Sequence, residues 1–93
     1  MIIFKYILNI SDEPVVPLPK GAEVLSVQVQ HGEPYIWALV DELASIEERH
    51  FRIIGTGNPI YLEGRTYKHP IPGKFVGTFQ LYNGNFIGHL FEA

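Results

Sequence analysis

Phe75–Leu81 (FVGTFQL) and Phe86–Phe91 (FIGHLF) flank Tyr82-Asn83-Gly84-Asn85. Both runs are rich in aromatic and branched residues, and the segment between them contains Asn-Gly. That dipeptide is the one best able to hold two central turn residues at positive φ, as a type I′ turn requires. The stretch therefore reads as a β-hairpin, and it makes the architecture antiparallel β.

Working back from the hairpin, Ala22–Gln30 (AEVLSVQVQ) alternates, with Leu25, Val27 and Val29 on one side and Ser26, Gln28 and Gln30 on the other. This is the pattern of a half-buried strand. His31-Gly32-Glu33 is a tight connection, and Pro34 opens the run Tyr35–Val40 (YIWALV). That run is apolar on both faces, which suits a central strand covered twice. Trp37 within it is expected to anchor a core or an interface. Ile2–Ile10 reads as a further strand. Val15–Pro19 can be extended, but its two prolines remove ladder donors and confine it to an edge.

Asp41–Glu48 is the one stretch with helical character, capped by Asp41, and is too short for more than about two turns. Arg49–Gly55 (RHFRIIG) is a strand with Phe51 and Ile53 on one side and His50 and Arg52 on the other. The expected fold is all-β: a small antiparallel sandwich or partly open barrel of about six or seven strands with little helix. The core is expected to draw on Leu25, Val27, Val29, Ile36, Ala38, Phe51, Ile53, Phe79, Leu81 and Leu90.

The chain has 93 residues, 46% of them hydrophobic and 18% charged, which fits one globular domain. There is no cysteine, so disulfides and thiolate metal sites are excluded. No apolar run approaches the roughly 20 residues that span a bilayer. The apolar start, Met1–Leu8, lacks the basic leader and cleavage site of a signal peptide. A net charge of −3 argues against sequence-independent binding to long nucleic acid.

Catalytic patterns are not found. Ser11, Ser26 and Ser45 have no nucleophile-elbow context, and no carboxylates pair as acid and base. His31, His50, His69 and His89 lack metal-ligand spacing, so no metal and no cofactor is expected. The segment 56–73 is long for a compact domain and is therefore a candidate for function. Gly55, Thr56, Gly57 and Asn58 follow a strand and could form a backbone nest for an anion. Arg52, Arg65 and Lys68 could neutralise a phosphate, and Tyr61 or Tyr67 could stack on a base. These nine residues form the candidate site for a small phosphorylated ligand, bound without chemistry. Because Tyr35–Val40 is apolar on both faces, the domain is expected to be a homo-oligomer.

Three strings carry a resemblance: LPKGAEVLSVQVQHGEPYIWALVD (Leu18–Asp41), HFRIIGTGNPI (His50–Ile60) and KFVGTFQLYNGNFIGHLFE (Lys74–Glu92). With SVQVQ, WALVD, GTG and GTFQ in that order, the chain resembles a family of small proteins of unknown function from tailed bacteriophages and prophages. The resemblance covers most of the chain and carries no catalytic residues. It implies a non-enzymatic binding protein of the host cytoplasm, such as an oligomeric sponge that sequesters a cyclic-nucleotide immune signal. The alternative is an accessory module that inhibits or modulates a host or phage protein. A structural role in the phage particle ranks third.

Overall fold

A computed structural model describes residues 1–58 and 73–93. They form seven strands: β1 (Ile2–Ile7), β2 (Val15–Pro19), β3 (Glu23–Gln30), β4 (Glu33–Val40), β5 (Ile46–Gly55), β6 (Lys74–Leu81) and β7 (Phe86–Glu92). These build two antiparallel sheets, one of three strands in the order β1-β4-β3 and one of four in the order β2-β5-β7-β6. No helix occurs among the described residues. The fold is a small β-sandwich, and its core lies between the two inner faces.

The alternation of β4 explains the layering. Pro34, Ile36, Ala38 and Val40 are buried, while Tyr35, Trp37 and Leu39 are half-buried on the outer face. The four-stranded sheet answers with Val16, Leu18, Phe51, Ile53, Phe79, Leu81 and Leu90. Where β6 approaches β3, a side chain at Gly77 would meet Val27: a Cβ there would lie 2.9 Å from Val27 Cγ1. A bare glycine is what lets the sheets close at that point.

Two of the expected core residues lie outside the core. Leu25 is 43% exposed and Val29 37% exposed. The ladder between β3 and β4 pairs Val24 with Ala38 and Ser26 with Trp37, which leaves Leu25 as the extra residue of a β-bulge. The bulge shifts the alternation by one, so Val24 packs against the core in place of Leu25. Val29 keeps its inward parity opposite Pro34 but sits at the end of the strand, where cover runs out.

Boundaries and turns also differ from expectation. β1 ends at Ile7 rather than Ile10, and Leu8 turns inward and is buried, its N–H donating to Pro34 O. Asp41–Glu48 makes one turn and then joins β5 at Ile46. Asp41 does cap that turn: its Oδ1 accepts from Leu43 N–H and its carbonyl from Ala44 N–H. The two-residue type I′ turn is His31-Gly32, with φ of 53° and 79°, between the paired residues Gln30 and Glu33. The Asn-Gly loop is larger. Tyr82, Asn83 and Gly84 all have positive φ, and two overlapping turns close on Leu81 O and Tyr82 O.

Candidate functional site

Strand β5 carries the candidate residues toward one end of the sandwich. Phe51 and Ile53 point into the core, which sends His50, Arg52 and Ile54 to the outer face of the four-stranded sheet. Arg52 pairs with Phe91 and is only 2% exposed, so it is engaged within the fold instead of standing in solvent. Beyond β5 the chain turns at once. Asn58 N–H donates to Gly55 O, and Gly57 holds φ of 85°, the left-handed third position of a type II turn. Thr56 N–H donates to Ile87 O. Two of the N–H groups of the expected nest are thus committed to backbone carbonyls.

What this turn offers instead is side chains. Thr56 Oγ1 lies 2.7 Å from His89 Nε2, and Thr78 Oγ1 lies 2.9 Å from His89 Nδ1. His89 on β7 therefore links β5's exit turn to β6 through both ring nitrogens. In the neutral imidazole one nitrogen donates to a hydroxyl and the other accepts from the second hydroxyl, so the two threonines play opposite roles. The cluster is half-buried at His89 and fixes the ring plane.

Next to it an open depression of about 300 Å³ is lined by Gly55, Thr56, Asn58, Gly84, Asn85, Phe86 and Ile87. It lies where the β5 exit turn meets the β6–β7 hairpin loop. Gly55 is tightly covered: a Cβ there would fall 2.8 Å from Asn58 Nδ2. The lining offers two side-chain amides, one hydroxyl and one aromatic ring, and none of its residues is charged.

The structure thus brings Gly55, Thr56 and Asn58 together at this depression, leaves Gly57 at the tip of the turn, and buries Arg52 away from it. Tyr61, Arg65, Tyr67 and Lys68 lie outside the described residues. His89 and Thr78 were not among the expected site residues. The hairpin register alone places them opposite each other, so that pair was open to sequence reasoning. Among the described residues no group of histidine and carboxylate side chains could hold a metal ion. No helix among them is long and apolar enough to cross a membrane.

A second surface stands out on the three-stranded sheet. On its outer face Ile3 and Ile7 of β1 lie opposite Leu39 and Tyr35 of β4, with Trp37 between. Ile3 and Ile7 are exposed, and the Trp37 indole N–H is buried with no acceptor among the described residues. Lys5 lies over this face, its Nζ 4.6 Å from the Tyr35 ring centroid and 5.9 Å from that of Trp37, and it donates to Gln30 Oε1 on β3. Along β3 the same face is polar, with Ser26 and Gln28 opposite Trp37 and Tyr35.

The chain belongs to a family described as Domain of unknown function (DUF7352), whose model matches residues 1–93. No curated protein and no solved structure matches it.

Proposed function

We propose that this domain is a non-enzymatic binding protein whose working surface is the outer face of the three-stranded sheet and whose ligand is another protein. The observation that carries this reading is the apolar face of Ile3, Ile7, Tyr35, Trp37 and Leu39, with Trp37 at its centre. Aromatic anchors flanked by aliphatic residues and rimmed by polar ones are the usual anatomy of a protein-binding patch. In the phage setting that the sequence resembles, the partner is a host or phage protein in the host cytoplasm, and binding would inhibit or modulate it.

The test is recovery of the partner from infected cells by tagged domain, followed by titration with the purified partner. Leu39→Lys puts a charge on the outer face of the central strand without touching a strand edge. It is expected to weaken partner binding by at least tenfold while the β-type circular-dichroism spectrum is kept. Unchanged affinity in a folded Leu39→Lys variant sinks the reading.

A second reading rests on the depression beside Thr56 and His89. Its volume lies at the small end of ligand pockets. It suits a small ligand recognised by amide and hydroxyl groups, such as the sugar or base of a cyclic nucleotide, whose phosphates would need cations from elsewhere. This is the sponge reading, in which the domain sequesters an immune signal without altering it. Calorimetric titration with cyclic di- and trinucleotides and cyclic ADP-ribose isomers decides it. Binding tighter than about 10 μM, or about −7 kcal/mol, that is lost in Asn58→Ala would favour it over the protein partner. No heat with any of them removes it.

A further inference from the structure

Among the described residues four strands end the two sheets: β1 and β3 in one, β2 and β6 in the other. Open edges invite pairing with another chain, and folded proteins blunt them with proline, bulges or charge. Three of these four edges are blunted. β2 carries Pro17 and Pro19, β3 is bulged at Leu25, and β6 is irregular between Phe75 and Gly77. β1 has no proline, no bulge and an unbroken register from Ile2 to Ile7. Its one charged residue, Lys5, is folded back over the sheet toward Gln30 and away from the edge.

On the inner face of β1, Tyr6 packs against the core but the other two side chains are incompletely covered. Ile2 and Phe4 lie opposite the buried Val40 and Ala38, yet they are 38% and 43% exposed. Inward-facing apolar residues at an unprotected edge need a neighbour that continues the sheet.

We propose that β1 pairs antiparallel with β1 of a second copy of this chain, about a two-fold axis at Phe4, to make one continuous six-stranded sheet. The register follows from three constraints. Leu8 N–H donates to Pro34 O, so Leu8 continues the hydrogen-bonded set of the β1–β4 ladder. Antiparallel pairs alternate, so Ile2, Phe4 and Tyr6 bond to β4, while the N–H and C=O groups of Ile3, Lys5 and Ile7 point to the open edge. Pairing within one pleated sheet keeps each face continuous, so opposed residues share parity.

A two-fold at Lys5 would set two lysines directly opposite each other, which is unfavourable. A two-fold at Ile3 would leave the second half of the strand unpaired. The axis at Phe4 puts Phe4 beside Phe4, Ile2 beside Tyr6 and Ile3 beside Lys5. It covers the exposed inner residues, satisfies the edge groups of Ile3 and Lys5 in both copies, and leaves the outer apolar face open and doubled in extent.

The chain has no cysteine, so single cysteines report the register without background. Phe4 would be a non-hydrogen-bonded pair with Cα atoms about 4.5 Å apart, within disulfide range. Lys5 of one copy would be offset from Lys5 of the other by two residues, about 8 Å between Cα atoms, which is beyond it. Oxidation of Phe4→Cys is expected to yield a covalent dimer and that of Lys5→Cys a monomer. Light scattering of the wild type should give twice 10.6 kDa at micromolar concentration. Ile3→Pro removes an edge donor but no bond to β4, so it should halve that mass while keeping the β-type spectrum. A wild type that stays at 10.6 kDa overturns the proposal, as does a folded Ile3→Pro variant that remains dimeric. A disulfide through Lys5→Cys in place of Phe4→Cys overturns the register.

Discussion

His31 holds φ of 53°, in the left-handed region where a Cβ crowds the following carbonyl. Its neighbour Gly32 meets the same demand at no steric cost. Asparagine tolerates that conformation better than histidine, so His31→Asn should stabilise the domain by about 0.5–1 kcal/mol. Urea denaturation read by circular dichroism measures this, and a lower midpoint would contradict it. Gly77 presents the opposite case. A methyl group there would lie 2.9 Å from Val27 Cγ1 across the sandwich. Overpacking of this kind costs about 1–3 kcal/mol, so Gly77→Ala should be destabilising. Trimming the obstacle with Val27→Ala should make the two changes less than additive, because they share one contact. Strict additivity in the double-mutant cycle would show that the two strands do not meet there. Asn-Gly did mark the end of the last hairpin, but the stricter two-residue turn is His31-Gly32, because a loop's length depends on where the strands stop pairing, as well as on its own residues.

Arg49 ties three elements together. From β5 it donates to Glu92 on β7 and, at 2.8 Å, to the carbonyl of Ala22 just before β3, with Glu47 3.7 Å away. The hydrogen bond to Glu92 raises the guanidinium pKa above its already high ordinary value, against the opposing effect of burial. Arg49→Met removes these bonds and leaves Glu92 without its partner, at a cost of about 2–3 kcal/mol. A folded-state pKa raised above the unfolded value gives stability that is complete below that range and is lost only as pH climbs through it. The gap between wild type and Arg49→Met should therefore stay constant from about pH 7 to 10. A gap that closes within that window would assign the effect to another group. Alternation made β3 and β5 legible as strands, aromatic and branched composition around Asn-Gly did the same for β6 and β7, and β2 was correctly placed at an edge by its prolines. The bulge at Leu25 was not legible, because a bulge is a property of the ladder with β4, and Val24, Leu25 and Ser26 show no break of their own. The site follows the same division. Thr78 and His89 meet by hairpin register, which is local, whereas Thr56 reaches His89 only through the β5–β7 pairing. Likewise, alternation put Arg52 on the outer face, but nothing in its own strand said that this position would be buried.

The two sheets share one interior, and neither has a core of its own. Ile36, Ala38 and Val40 of the three-stranded sheet meet Phe51, Phe79 and Leu90 of the four-stranded sheet in a single buried cluster. A domain of 93 residues has a small total stability, on the order of 5–10 kcal/mol. Removing packing from one sheet should therefore be felt throughout. Leu90 is fully buried on β7, and Leu90→Ala should cost about 2–4 kcal/mol by lost transfer energy and the cavity left behind. Trp37, the one tryptophan, lies on the opposite sheet and reports that sheet's unfolding by fluorescence. The predicted outcome is a coincident shift: the Trp37 transition and the far-ultraviolet circular-dichroism transition should move by the same amount in Leu90→Ala. Coincidence of different probes is the mark of one cooperative unit. If the tryptophan transition stayed in place while the circular dichroism shifted, the sheets would be separable, and the shared core would not be what holds the sandwich together. Denaturation must be followed at several protein concentrations, because pairing through β1 would make the midpoint rise with concentration for the wild type and for Leu90→Ala alike.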